Sequence, residues 1–370
     1  MIWKYTVILL LVSLIAAGCS SANLSLKSEE KSIVAVQKAN VKQESKPILT
    51  TQGIITWDPI NYESKQTVLY TKELRDSFSE VQYRIWRVAD GESSAKVFSS
   101  KDAANNNFAL PFSLQSFDWK RGEYQIDTVG IKPDGTSTPL VHSAITFQQS
   151  VPFLMYHGID EYHGQGLRGL FVSPSTFEAH MKYLKDNGYT LLTFEHWNDI
   201  NKVNKPIFIT FDDGMKDNLN AFYIFKKLKD DHFTPTATAF VISSFFGKPG
   251  YLSAEEIKMM SDSGIFSIQS HTVDHANLPY VPNAEQELKD SRDKIAEVTG
   301  KPVISLAYPV GYYNDHVVEL TKKYYEYAVT TKKGVFVEKR DPNEKYVINR
   351  FDITPIMTMN QFIEIVQEKK

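Results

Sequence analysis

The chain has 370 residues, of which 42% are hydrophobic and 12% aromatic, so it can bury a sizeable core and is not disordered as a whole. Its formal net charge of −3 gives no basic footprint of the kind that nucleic-acid binding requires. The single cysteine, Cys19, excludes an intramolecular disulfide, a zinc finger and a thiol-pair redox site.

Residues 1–19 have the composition of a secretory signal: a lysine near the start, an apolar run and small residues before Cys19. The end of this segment, Ala16-Ala17-Gly18-Cys19, resembles a bacterial lipobox, although Leu is commoner at the position of Ala16. We therefore expect a lipoprotein whose lipidated Cys19 anchors it at the extracellular face of the cell membrane. An ordinary cleaved signal peptide or an uncleaved membrane anchor is the alternative.

Residues 20–52 are rich in Ser, Lys, Glu and Gln and show no hydrophobic periodicity, which predicts a flexible tether. About 30 residues of this kind span roughly 30 Å as a flexible coil. The tether would hold the following domain away from the membrane.

Residues 53–149 predict a small all-β domain, because short β-rich runs alternate with turn signals. The runs are 67–70, 81–88, 96–98, 123–131 and 144–147. Their spacing favours an immunoglobulin-like β-sandwich. Its aromatic residues could form a sugar-stacking face, but core and cross-strand positions are the preferred interpretation. These residues are Trp57, Tyr83, Trp86, Trp119 and Tyr124.

Residues 150–370 alternate apolar strands with amphipathic helices, which is typical of parallel βαβ units. We predict seven strands, at 151–159, 190–193, 207–211, 236–242, 265–270, 304–308 and 327–330. The predicted helices cover 173–187, 217–229, 254–263, 284–299, 314–325 and 360–369. This pattern favours an α/β fold with a distorted (β/α)7 barrel; an open doubly wound sheet is the alternative. No glycine-rich nucleotide fingerprint follows any of these strands.

Two adjacent carboxylates, Asp212 and Asp213, follow the apolar strand 207–211 and precede Gly214. This position is the C-terminal end of a strand, where α/β barrels place their catalytic groups. Neighbouring carboxylates repel each other unless a positive charge such as a metal ion stabilises them. The alternative is a solvated turn in which one aspartate caps the next helix.

Two histidines, His271 and His275, follow the strand 265–270 and lie four residues apart. Together with one aspartate they would offer two imidazole nitrogens and one carboxylate oxygen, the composition of a catalytic metal site. Zinc is the default ion for this set, and cobalt or nickel can support the same chemistry. Taken alone, the two histidines would more often be surface or hydrogen-bonded core residues.

Three segments in this order resemble the motifs of the polysaccharide deacetylase family (NodB homology, carbohydrate esterase 4). They are Thr210-Phe211-Asp212-Asp213-Gly214, His271-Thr272-Val273-Asp274-His275 and Ala307-Tyr308-Pro309-Val310-Gly311. The resemblance covers residues 151–370 and implies removal of N-acetyl groups from polymers that contain N-acetylglucosamine (GlcNAc).

The resemblance also implies roles for individual residues. Asp213, His271 and His275 would bind the divalent metal, and Asp212 would be the general base. The segment Tyr308-Pro309-Val310 would meet the substrate, with the Val310 N–H stabilising the oxyanion.

Two positions depart from the family pattern. Ala307 stands where the third motif usually carries an arginine that orients the base, and Arg350 is a candidate to replace it. The late histidine that usually supplies the general acid is absent, since no histidine follows His316. The segment 152–157 resembles the first strand of the circularly permuted poly-GlcNAc de-N-acetylase branch, which makes His157 a candidate acid; a structural histidine is the alternative.

We therefore expect a monomeric, lipid-anchored enzyme that acts on an extracellular GlcNAc polysaccharide or cell-wall glycan, with poly-GlcNAc favoured over peptidoglycan. A non-catalytic glycan-binding surface protein is the rival. Such a protein would be expected to lack a metal ligand or the base, whereas all four residues are present here.

Overall fold

The computed structural model describes residues 52–103 and 107–367, so the predicted signal peptide, Cys19 and the tether before residue 52 lie outside the described residues. Within this described part, none of the helices is both long enough and apolar enough to span a bilayer. The predicted domain boundaries stay predictions.

Seven antiparallel strands form the first part of the described chain. They are β1 (Ile54–Trp57), β2 (Gln66–Lys72), β3 (Glu80–Arg87), β4 (Lys96–Ser100), β5 (Leu110–Ser113), β6 (Gly122–Ile131) and β7 (Ser137–Phe147). They pair into two sheets with the orders β1-β2-β5 and β4-β3-β6-β7. The five predicted runs fall in β2, β3, β4, β6 and β7, whereas β1 and β5, of four residues each, were not predicted.

The two sheets share one apolar core to which β2, β3, β5, β6 and β7 all contribute. Strand β3 shows why: Val81, Tyr83 and Ile85 alternate into the core, while the residues between them are partly exposed. Tyr83 and Tyr124 are fully buried, which confirms for these two the core position rather than a sugar-stacking face.

The second part of the described chain alternates parallel strands with helices. The strands are β8 (Phe153–Tyr156), β9 (Thr190–Leu192), β10 (Pro206–Phe211), β11 (Ala237–Val241), β12 (Phe266–Ser270), β13 (Ser305–Ala307), β14 (Tyr327–Val329) and β15 (Phe351–Asp352). The helices are α1 (Pro174–Asp186), α2 (Asn218–Leu228), α3 (Ala254–Asp262), α4 (Ala284–Thr299), α5 (Asp315–Lys322) and α6 (Met359–Gln367).

These strands form one curled parallel sheet in the order β14-β13-β12-β11-β10-β8-β15, with β9 beside the start of β10. The α/β class and all seven predicted strands are confirmed, and the two-residue β15 is an addition. The two edges of the sheet approach each other at Ile348, which precedes β15 and forms a single bridge with Val329 of β14.

Local sequence fixes where the helices begin. The Ser173 hydroxyl accepts a hydrogen bond from the Thr176 N–H, and Pro174 occupies the first helical position of α1, as predicted. Ser253 and Glu256 form a reciprocal capping box at the start of α3. These caps satisfy main-chain N–H groups in the first turns of α1 and α3.

The all-β part contacts the segment that leads into β10. The Glu123 N–H donates to the Asn201 carbonyl at 2.7 Å, and the Gln149 side-chain amide donates to the Ile200 carbonyl at 2.7 Å. These contacts lie on the N-terminal side of β10, whereas Asp212 and Asp213 follow its C-terminal end.

Candidate active site

The strand register brings His157 next to Asp212. Strands β8 and β10 are parallel neighbours in which Tyr156 pairs with Phe211, and the Asp212 N–H donates to the Tyr156 carbonyl at 2.9 Å. The residue that follows β8 is His157, and the residue that follows β10 is Asp212, so these two residues are neighbours at the strand ends. The proximity that the sequence could only suggest is present.

Asp213, His271 and His275 converge, with one potential ligand atom from each lying within 4.8 Å of the others. The Asp213 Oδ1 is 3.5 Å from Nε2 of His271 and 3.8 Å from Nε2 of His275. Nδ1 of His271 lies 2.8 Å from the Ala307 carbonyl oxygen. Because a carbonyl can only accept, Nδ1 carries a proton, and Nε2 is the nitrogen that faces Asp213. Two imidazoles and a carboxylate with this orientation fit a divalent transition metal.

The ionisation of these three groups is coupled. Burial would raise the pKa of Asp213, but the hydrogen bond and charge of His271 reverse the effect and lower it. Burial lowers the pKa of His275, and the charge of His271 lowers it further. For His271, burial is outweighed by Asp213 and Asp212, which raise the pKa. An ionised Asp213 and a neutral His275 are the forms that bind metal.

Arg350 forms a two-pronged ion pair with the predicted base. Its NH1 donates to Oδ1 of Asp212 at 2.7 Å and its NH2 donates to Oδ2 at 2.6 Å. Asp212 is 3% exposed and Arg350 is fully buried. Burial alone would raise the pKa of Asp212, but the charge and hydrogen bonds of Arg350 lower it to about 2.

Further contacts hold the guanidinium in place. Arg350 Nε donates to the Thr330 carbonyl at 2.9 Å, and NH1 also donates to Oγ1 of Thr210 at 3.0 Å. Arg350, the candidate replacement for the arginine missing at Ala307, does therefore contact the base. It reaches Asp212 from the segment between β14 and β15.

Val310 occupies an unusual backbone conformation beside the site. Its φ is +56°, in the left-handed region that a β-branched residue rarely adopts. The side chain is 56% exposed, while the neighbouring Tyr308 and Pro309 are buried. Among the hydrogen bonds of the described residues, none uses the Val310 N–H as donor. The Val310 N–H is thus left without an acceptor among the described residues, and its oxyanion role stays a prediction.

Left-handed backbone recurs in the two loops that carry the predicted metal ligands. Asp213 has φ +72°, Thr272 has φ +66° and His275 has φ +57°. Such conformations cost about 1–3 kcal/mol each and concentrate at functional sites. The sharp turns at the ends of β10 and β12 aim the ligand side chains at one point.

Asp352 lies near His157 but was given no role from the sequence. It ends β15, where it pairs with Met155 of β8. Loss of hydration raises the pKa of Asp352, and the charges of His157 and Arg350 oppose this shift. A strand of two residues has no periodicity that could have revealed this neighbour.

Comparison with known proteins agrees with this architecture. Residues 199–328 match the family model of the polysaccharide deacetylases. The chain is 35% identical over 229 residues to YxkH of Bacillus subtilis (strain 168), which is assigned to the same group; the match covers 60% of this chain and 77% of YxkH. The chain belongs to the polysaccharide deacetylase family, whose members are hydrolases that act on amide bonds.

Two further similarities bear on fold and substrate. The crystal structure of BC0361, a polysaccharide deacetylase from Bacillus cereus, is 55% identical, with a TM-score of 0.83 and coverage of 85% of this chain and 100% of that one. The poly-beta-1,6-N-acetyl-D-glucosamine N-deacetylase of Staphylococcus aureus (strain MRSA252) is 28% identical over 178 residues, covering 42% of this chain and 59% of that enzyme.

Proposed function

We propose that this deacetylase removes N-acetyl groups from an extracellular GlcNAc polysaccharide, with poly-β-1,6-GlcNAc as the favoured substrate. The observation that carries the proposal is the convergence of Asp213, His271 and His275 beside Asp212, which Arg350 keeps ionised. Similarity to the staphylococcal enzyme and the placement of His157 directly after β8 support the choice of substrate.

Asp213, His271 and His275 would hold the divalent metal. Zinc suits two imidazoles and one carboxylate, and cobalt or nickel can replace it. When bound, the ion would supply Lewis acidity, which polarises the acetamide carbonyl and lowers the pKa of water.

The protein side chains would move the protons. Asp212 has a pKa of about 2, so it is ionised at neutral pH and accepts a proton from the attacking water. The Val310 N–H would donate to the oxyanion of the tetrahedral intermediate. His157 would protonate the amine nitrogen as the C–N bond breaks. Acetate leaves, and the new amine adds positive charge to the polymer.

The test is acetate release by the purified protein from Ser21 onward, on poly-GlcNAc and on peptidoglycan. We expect release from poly-GlcNAc that a chelator abolishes and zinc restores. The Asp212→Asn variant should lose at least about 100-fold of this activity, as expected for a general base. Acetate release from peptidoglycan alone would mean that peptidoglycan, and not poly-GlcNAc, is the substrate. If the protein binds metal but releases acetate from neither polymer, the proposal is overturned.

We also propose that Cys19 anchors the protein in the cell membrane. Replacing Cys19 by alanine should move the protein from the membrane fraction to the soluble fraction, and unchanged fractionation would contradict the anchor. The all-β part would then serve as a spacer or a weak glycan-binding module. Its contacts on the N-terminal side of β10 support the spacer, because the predicted catalytic residues follow the other end of that strand.

A further inference from the structure

The first turn of helix α2 holds the segment that carries His157. Asn218 is fully buried, and its side-chain Nδ2 donates to the main-chain carbonyl of His157 at 2.6 Å. Asn220, two residues further along the chain, donates in the same way to the Ile159 carbonyl at 2.8 Å. The end of β8 is therefore tied to α2 by two side-chain amides.

Gly158 lies between these two contacts and has no space for a side chain. A Cβ there would lie 2.9 Å from Oδ2 of Asp217 and 2.8 Å from Cδ1 of Phe171. The Gly158 N–H also donates to the Leu170 carbonyl at 3.0 Å, and its carbonyl accepts from the Val172 N–H at 2.9 Å. Helix α2 and the 170–172 segment thus both hold the backbone directly after His157.

The side chain of Asn218 uses only one of its two polar atoms. Its Oδ1 is buried and has no hydrogen-bond partner among the described residues. Burying this unpaired oxygen costs free energy, and the Nδ2 hydrogen bond offsets part of that cost. The interaction that distinguishes Asn218 from an apolar residue is therefore the hydrogen bond from its Nδ2 to the His157 carbonyl.

Asn218 also belongs to the segment that carries the base and a metal ligand. It follows Asp213 by five residues and begins α2, directly after the turn at the end of β10. Its hydrogen bond therefore connects the loop of Asp212 and Asp213 to the neighbouring strand end at His157. A change in this contact would alter the distance between the predicted acid and the predicted base.

We propose that Asn218 is a positioning residue, which fixes His157 relative to Asp212 and the metal ligands during proton transfer to the leaving amine. The inference rests on the proposed function, in which His157 is the general acid. Misplacement of a reacting group by about 1 Å can cost 100-fold in rate.

A double-mutant cycle tests the proposal. Asn218→Ala is made in the wild type and in His157→Ala, and kcat, KM and bound zinc are measured on the GlcNAc polymer. We expect Asn218→Ala to lower kcat by about 10- to 100-fold with little change in KM or zinc content. In the His157→Ala background the same substitution should cause no further loss. Asn204→Ala, which removes a side-chain amide that donates to the Gly188 carbonyl at 2.9 Å near the start of β10, is the control and should retain kcat close to that of the wild type.

Three results would overturn the proposal: an unchanged kcat in Asn218→Ala, an equal loss in both backgrounds, or the same loss in Asn204→Ala. If Asn218→Ala does not fold, Asn218→Leu keeps the volume and removes the buried oxygen, and the same kinetic result is expected from it. An inactive wild type would instead contradict the proposed function, so the two failures can be told apart.

Discussion

Arg350 pairs with both carboxylate oxygens of Asp212, at 2.7 and 2.6 Å, although the two residues are separated by 138 positions in the chain. Both side chains are buried, so water screens their interaction little. The pair keeps the predicted base ionised and holds its two oxygens in a fixed plane.

Removing the guanidinium should therefore damage both stability and activity. We expect Arg350→Met to lower the free energy of unfolding by about 3–5 kcal/mol, because it leaves a buried carboxylate without a counter-charge. We also expect kcat to fall by at least about 100-fold, since the pKa of Asp212 rises and its orientation is lost. Denaturant unfolding and acetate release measure the two effects.

A surface arginine provides the control. Arg292 contacts Asp293 at 2.6 Å, but both side chains are partly exposed. Arg292→Met should change stability by less than about 1 kcal/mol. Equal effects of the two substitutions would contradict the special role of the buried pair.

The roles of His157 and Asp212 can be separated with substrates that differ in their leaving group. An aryl acetate releases a phenolate that leaves without protonation, whereas an acetamide must have its nitrogen protonated. His157→Ala should lower kcat by about 100-fold or more on the acetamide but much less on the aryl acetate. Asp212→Asn should lower kcat on both substrates. Equal losses of His157→Ala on the two substrates would rule out a general acid at this position.

Asp217 should destabilise the protein as the pH rises. Burial raises its pKa to about 6, with a smaller contribution from Asp160 and an opposing one from the Ile159 N–H. Its ordinary pKa is about 3.9, so its stabilising contribution is complete below pH 4 and is lost as the pH rises through 6. Asp217→Asn should then be more stable than the wild type at pH 7, by about 2 kcal/mol, with a smaller difference at pH 4.

Unfolding curves at the two pH values check this prediction, and a difference independent of pH would contradict it.

The contribution of Asp212 to stability must depend on pH in the opposite way. Its folded pKa of about 2 lies below the ordinary value, so its contribution is present above pH 4 and is lost as the pH falls through 2.

Relief of backbone strain at Val310 should stabilise the protein. Glycine adopts positive φ without the steric cost that a valine has at +56°, and the exposed Val310 side chain buries little apolar surface. We expect Val310→Gly to raise the free energy of unfolding by about 1 kcal/mol and to retain deacetylation, because the N–H is kept. Thermal unfolding and acetate release give the answer, and a destabilised variant would mean that the valine side chain packs in the folded state.

Motifs at strand ends were predictable, because the sequence alone places Asp213, His271 and His275 at the carboxyl ends of two parallel strands. The contact of Arg350 with Asp212 could be named only as a candidate, since it depends on how the edges of the sheet approach each other at Ile348. The sequence could not reveal the role of Asn218. Its partner is a main-chain carbonyl, which every residue type has, so no residue pattern marks the contact.

The late position of Arg350 has a consequence for truncated chains. A chain that ends after β14 would still contain His157, Asp212 and the three predicted metal ligands. It would lack the counter-charge of Asp212, whose carboxylate could then be buried only at a large cost in free energy. We therefore expect loss of the segment after β14 to leave a chain that holds its predicted metal ligands but neither closes around the base nor releases acetate.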